Sequence, residues 1–292
     1  MYQDKLKIIK MKILIIQEAG RHIKNQNFRE SLNFNRAFTK IGIESTVWGL
    51  NFPNYNISFD EISKDYDVVL LIENYNNGWL PNISNFKGLK LFWSIDSHMI
   101  PNEHIMTCNS NKIDIVLNAI ESHKKYFKNF KTYYLPNAYP DDLIDFNPNI
   151  EKKYNVGFCG NIISRANWID SIPNIKKDVF VIGDDMVQAI NSYKIHFNRN
   201  LADDLNYRTF ETLGCKTFLL TNETENLRNL FNVSEHLDVY TTIQDLQEKV
   251  QYYLTHDEIR NKISESGYNY VRKNHTFVNR AREILKIISE NI

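Results

Sequence analysis

KIHFNRNLADDLNYRTFETLGCKTFLLTNETENLRNLF, residues 194–231, is the stretch whose reading decides the fold. It opens within a β-rich apolar run, YKIHFN (193–198), passes through a polar loop and an amphipathic stretch, and closes on a second apolar run, KTFLLT (216–221). Strand, helix and strand within about 30 residues make a βαβ unit, whose crossover connection requires a parallel sheet. Working outward, the same alternation repeats. YNVGFCG (154–160) and DVFVIG (178–183) precede the stretch and LDVYT (237–241) follows it, so five strands form one Rossmann-like lobe. From Thr242 to Ile292 the pattern is helical, with breaks near Thr255 to Asp257 and Asn274 to Thr276.

Upstream, PNAYPDDLIDFNPNIEKK (136–153) holds three prolines and several turn-forming Asn and Asp residues, and reads as an interdomain linker. Before it come KILII (12–16), STVWGL (45–50), DVVLLI (67–72), KLFWSI (90–95), IDIVLN (113–118) and TYYLP (132–136), six strands of a first lobe. Phe34, Ala37, Phe38 and Ile41 fall at i, i+3, i+4 and i+7, one apolar face of a helix between two of them. The expected division is residues 1–140 for the first lobe, with 1–10 an extension before Met11, and residues 141–275 for the second. A final segment, 276–292, follows.

A chain of 292 residues suits two α/β lobes better than one core. Hydrophobic residues make up 42% and charged residues 24%, the range of a folded globular protein. Lys and Arg number 35 and so do Asp and Glu, so no global field draws the chain to nucleic acid or an anionic membrane. Cys108, Cys159 and Cys215 show no CxxC pair, and the histidines form no HExxH or HxH, so no metal or other cofactor is expected. Three unpaired cysteines and no long apolar run point to a cytoplasmic setting without a transmembrane segment.

In open parallel sheets ligands bind beyond the carboxyl ends of the strands, and four strand exits carry chemistry. After the first strand, Gly20 offers backbone freedom and Arg21 and His22 offer polar reach; an ordinary surface loop reads equally well. At FWSIDSHMIP, Asp96 and His98 leave a strand before a proline. A carboxylate beside an imidazole can orient a hydroxyl or take its proton, and a turn cap by Asp96 or Ser97 is the plainer reading. At GNIISRANW, Gly160 ends a strand and a helix is expected from near Asn161, which sets amide groups and Arg165 where a diphosphate sits.

The fourth exit is the opening stretch itself. His196, Asn198 and Arg199 leave a strand, Asp203 and Asp204 are placed to cap the next helix, and Glu211 lies within it before Gly214 stops it. Asp203 and Glu211 would then stand about two turns apart on one side of that helix. Asn206, Tyr207 and Arg208 fall at its N-terminus, where amides and a guanidinium favour phosphate. An i to i+3 pair of Arg208 with Glu211 is the structural alternative.

Residues 193–285 resemble the C-terminal domain of the CgeB-like glycosyltransferases, which are similar to family 4 glycosyltransferases. The likeness runs in order through N-x-R-x-F-E, a G-x-x-x-x-L-L-T strand, an acidic loop, a Y-Y-L helix and a closing H-T-F…R-A helix. It implies a GT-B fold, two Rossmann-like lobes with parallel sheets facing a central cleft, with the segment 276–292 returning to the first lobe. It implies that Glu211 binds the donor ribose, that Asn206 and Arg208 lie near the diphosphate, and that Asp203, with Asp204 as rival, faces the donor sugar. VFVIGDD looks like the family's V-x-G-x-G turn, which assigns base recognition to Gly183 and Asp184 although Asp185 replaces its second glycine. The expected enzyme moves a sugar, without a metal, from a nucleotide-diphosphate-sugar, UDP-sugar favoured. The acceptor is a glycan, protein, small molecule or modified nucleic acid. The likeness implies retention, with the leaving phosphate as base; inversion would use Asp96 or His98. A non-catalytic sugar-nucleotide or glycan-binding module is the alternative.

Overall fold

The structure, a computed structural model, describes residues 11–291, so the expected extension at 1–10 lies outside the described residues. The chain divides into two units. The first comprises the described residues up to Leu135 and those from Ala281 onward; the second is Pro136–Arg280.

The first unit is built on six parallel strands: β1 (Lys12–Ile16), β2 (Glu44–Trp48), β3 (Val68–Ile72), β4 (Leu89–Ser94), β5 (Ile115–Asn118) and β6 (Lys131–Tyr134), in the order β2-β1-β3-β4-β5-β6. β1, β3 and β4 are apolar along nearly their whole length because a sheet covered on both faces leaves no polar side. The helix Glu30–Lys40 buries Phe34, Ala37 and Phe38. Phe34 meets Trp93 edge-on at 5.2 Å.

The second unit has five parallel strands: β7 (Tyr154–Gly160), β8 (Lys176–Val179), β9 (Tyr193–Phe197), β10 (Phe218–Asn222) and β11 (Asp238–Tyr240), ordered β11-β10-β9-β7-β8. Val156, Phe158, Ile195, Phe197, Phe218, Leu220 and Tyr240 meet Leu246, Val250 and Tyr253 of the helix Ile243–Thr255 in one core. The helix Tyr207–Gly214 packs on β10 and on the helix Asp257–Asn274. Its last residue is glycine because a Cβ there would stand 2.6 Å from the Tyr139 ring. The left-handed residue that turns the chain is Lys216 (φ 51°), so Gly214 serves close approach rather than the stop expected of it. The final helix, Phe277–Ser289, spans the division between the units.

Each sequence run read as a strand carries one, and both sheets are parallel throughout. β8 departs from expectation: it ends at Val179 rather than Gly183, because Phe180 turns to φ 56° and leaves the ladder. Among the described residues no helix is long and apolar enough to cross a membrane.

Candidate functional site

The carboxyl edge of the second sheet gathers the residues assigned to the donor. Between β9 and the helix Tyr207–Gly214 the chain crosses a loop held by amide side chains. Asn198, buried, donates to Thr221 Oγ1 (3.1 Å) and Asn206 Oδ1 (3.2 Å) and accepts from Asn206 Nδ2 (3.1 Å). The Asn200 N–H donates to Asn222 Oδ1 at 2.7 Å, and the Asn206 N–H to Asn200 Oδ1 at 3.1 Å. Asn206 is the N-cap, its Oδ1 accepting the Thr209 N–H at 3.3 Å.

This corrects the expectation that Asp203 and Asp204 cap the helix and that Asp203 shares it with Glu211. Both acids sit in the loop, because only an amide can cap the helix with its oxygen while its nitrogen donates to Asn198. Asp203 turns to the β10 exit, where its Oδ1 accepts the Glu225 N–H (3.4 Å) and its carbonyl accepts from Asn226 Nδ2 (3.4 Å). Asp204 accepts the Ala202 N–H at 3.4 Å, and its charge acts on Arg165.

Three arginines meet at the exits of the adjacent strands β7 and β9. Arg208 Nε donates to the Cys159 carbonyl at 3.1 Å, and its guanidinium pairs with Glu211 one turn on. Burial works against the Arg208 charge, but Glu211 and Cys159 together outweigh it and hold the guanidinium above its ordinary range. Arg165 donates from Nε to the Arg199 carbonyl (2.8 Å) and from Nη1 to the Asn161 carbonyl (3.0 Å), joining the two exit loops. Burial lowers Arg165, and the charges of Arg199 and Arg208 push the same way. The Arg199 guanidinium lies 4.0 Å above the Trp168 ring. Like charges held within reach of one another favour an anion among them, and guanidinium suits phosphate. Tyr207, half-buried, opens the helix beside Arg208.

His196 was grouped with the donor-binding residues, and its surroundings give it a different task. It is fully buried, with Nδ1 2.5 Å from Thr212 Oγ1 and Nε2 accepting the Cys159 N–H at 3.3 Å. Burial, with the Arg208 charge second, pushes the imidazole down to about 3. A neutral ring engaged at both nitrogens ties β7 to the helix carrying Arg208 and Glu211, so it holds the site rather than facing a ligand.

The helix expected near Asn161 starts at Ala166 and is one short turn, Ala166–Asp170, with Arg165 as its N-cap. Asn161 Oδ1 instead takes the Ile163 N–H at 2.9 Å, and the chain turns through Ser164 at φ 63°. Gly160 precedes this turn, half-buried at the end of β7. Gly183 lies at φ 62°, ψ −142°, a region closed to residues with a Cβ, and is the N-cap of the helix Asp184–Asn191. Asp184 is exposed at that helix's first position.

In the first unit, Asp96 and His98 leave β4 as expected, Asp96 exposed and His98 half-buried with no hydrogen bond to its Nδ1. What fixes their turn is Glu73, which sequence reading missed. Its Oε2 accepts the N–H groups of both Ile95 and Asp96 at 2.7 Å and lies 3.5 Å from His104 Nε2. Ser94 Oγ meets His104 Nδ1 at 2.8 Å, and Ser97 Oγ meets His123 Nδ1 at 2.9 Å. Glu73 directly follows the run 67–72, so reading every strand exit for acids would have found it. At the β1 exit Gly20 has φ 87°, Arg21 lies 4.8 Å over the Tyr75 ring, and His22 is exposed without capping the short turn that follows. Arg29, 6% exposed, donates to the Glu18 carbonyl at 3.2 Å and pairs with Glu30 at 3.3 Å, so the arginine anchored in this loop is not the one expected.

Residues 144–286, just under half of the chain, match the family described as glycosyl transferase-like. No curated protein matches. The chain is similar in structure to sucrose-phosphate synthase from Thermosynechococcus elongatus, at 10% identity over 96% of this chain and 98% of that one, with a TM-score of 0.69. Anabaena HepE in complex with UDP and glucose is similar at 12% identity, covering 96% and 100%, with a TM-score of 0.68. The T4 phage β-glucosyltransferase is similar at 17% identity, covering 96% and 99%, with a TM-score of 0.66. These likenesses establish the GT-B fold. Together, the fold and the domain match liken the chain to glycosyltransferases.

Proposed function

We propose that the second unit binds a UDP-sugar and that the chain transfers its sugar to an acceptor held by the first unit, as a retaining enzyme of the CgeB-like kind. The observation that carries this reading is the trio Arg165, Arg199 and Arg208, set with Glu211 on the exits of β7 and β9. Negative charge gathers on the β-phosphate as the glycosidic bond breaks, and preorganised guanidinium groups stabilise it there, so the step asks for no metal. Glu211 offers its carboxylate to the ribose hydroxyls. In retention the departing phosphate oxygen takes the acceptor proton, with Asp96 and His98 orienting the acceptor hydroxyl. HepE, bound to UDP-glucose in one structure and to UDP in others, supports UDP as the carrier.

A panel of UDP-, GDP- and TDP-sugars tests this, with donor hydrolysis followed for the wild type and for Glu211→Ala. Hydrolysis of a UDP-sugar that falls at least tenfold in the variant is the expected result, about 1.4 kcal/mol of lost transition-state binding. No turnover of any donor, with nucleotide binding retained, would favour a binding module instead. The anomeric proton of the product, read by NMR, should be that of an α-linkage from an α donor; a β-linkage rejects retention.

A further inference from the structure

Phe180 combines two features that work against folding. Its ring is 70% exposed, and its backbone lies at φ 56°, a region that bulky residues rarely enter and glycine enters freely. Neither is required by the core, because the residue stands past the end of the edge strand β8. Strain of this kind collects where a side chain is aimed at a ligand.

The neighbours of its backbone say which ligand. Val179 pairs with Gly160 in the sheet, and the Phe180 N–H points to the Gly160 carbonyl at 3.4 Å. A Cβ at Gly160 would meet only the Phe158 ring, at 3.5 Å, so Gly160 borders open space. The next carbonyl along, that of Val181, accepts the Cys159 thiol at 3.7 Å, and the Cys159 carbonyl receives Arg208, the partner of Glu211. An exposed aromatic face, an open glycine ledge, a carboxylate and a guanidinium therefore follow one another along the ends of β8, β7 and the helix after β9.

We propose that Phe180 is the stacking surface for the nucleobase of the donor. The inference rests on the nucleotide-sugar reading of this site: with Glu211 at the ribose and the arginines at the diphosphate, the base is the part left to meet a flat apolar ring. Stacking tolerates any base, so Phe180 contributes affinity rather than base choice.

Calorimetry on the full chain tests it, with UDP and inorganic pyrophosphate as probes against the wild type, Phe180→Ala, Phe180→Gly and Phe180→Tyr. Phe180→Ala and Phe180→Gly should weaken UDP binding about tenfold or more and leave pyrophosphate binding unchanged, while Phe180→Tyr keeps both. Phe180→Gly should also melt at or above the wild-type temperature, since it relieves the positive φ. Wild-type UDP affinity in Phe180→Gly overturns the inference while the nucleotide reading stands. Weaker binding of both probes together with a lower Tm assigns Phe180 a structural role and also overturns it. A wild type that binds none of UDP, GDP, TDP or CMP contradicts the nucleotide reading itself, and this inference with it.

Discussion

His196 and His275 are both held neutral by burial, which drives each down to about 3, with the charges of Arg208 and Arg280 respectively adding to it. In the unfolded chain a histidine titrates near its ordinary value of about 6.5. Between those values the unfolded chain binds protons that the folded chain refuses, so stability is full above about pH 6.5 and is lost as pH falls. The slope contributed is about 1.4 kcal/mol per pH unit for each histidine inside that window. Urea unfolding at pH 7 and pH 5 should show the loss, and His196→Asn should reduce the slope by one proton; a flat wild-type profile contradicts the buried neutral ring. Arg208 lends itself to a second substitution. Arg208→Met leaves the Glu211 carboxylate buried without its partner, and a loss on the order of 3 kcal/mol is expected from chemical denaturation. Arg208 and Glu211 were legible in the sequence because i to i+3 spacing brings them together whichever residue starts the helix. The start itself was not, because it depends on which side chain of the loop finds partners for both its donor and its acceptor, and Asn206 wins that over Asp203 and Asp204 only through Asn198.

At the scale of elements, the parallel strands announce themselves as apolar runs, since covered sheets leave no alternation to confuse the reading. β8 hides its end because Val181 and Ile182 prolong the apolar run past the residue where the backbone turns, and no composition rule places a phenylalanine at positive φ. The helix Tyr207–Gly214 depends on one contact that sequence could not show, the ring of Tyr139 against Gly214. Gly214→Ala drives a methyl into that ring, which is 1% exposed and has nowhere to move. A loss of about 1–3 kcal/mol is expected from such overpacking. Thermal unfolding of the variant reads it directly, and an unchanged Tm would mean the ring yields.

At the scale of the molecule, a chain with equal numbers of acidic and basic residues still brings three arginines together at the exits of β7 and β9. The second unit closes on itself through Arg280, 1% exposed, whose guanidinium donates to the carbonyls of Pro136 (2.8 Å) and Asn137 (3.1 Å) and meets His275 Nδ1 at 2.7 Å. Its removal in Arg280→Met leaves those acceptors buried, with a loss on the order of 3 kcal/mol expected in denaturant titration. The central claim is that the carboxyl edge of the second sheet holds a UDP-sugar through Arg208 and Glu211. Release of UDP from UDP-glucose, measured for the wild type, Arg208→Ala and Glu211→Ala, tests it most directly. The account predicts release by the wild type and a loss of at least tenfold in each variant, about 1.4 kcal/mol or more; equal rates in all three would contradict it.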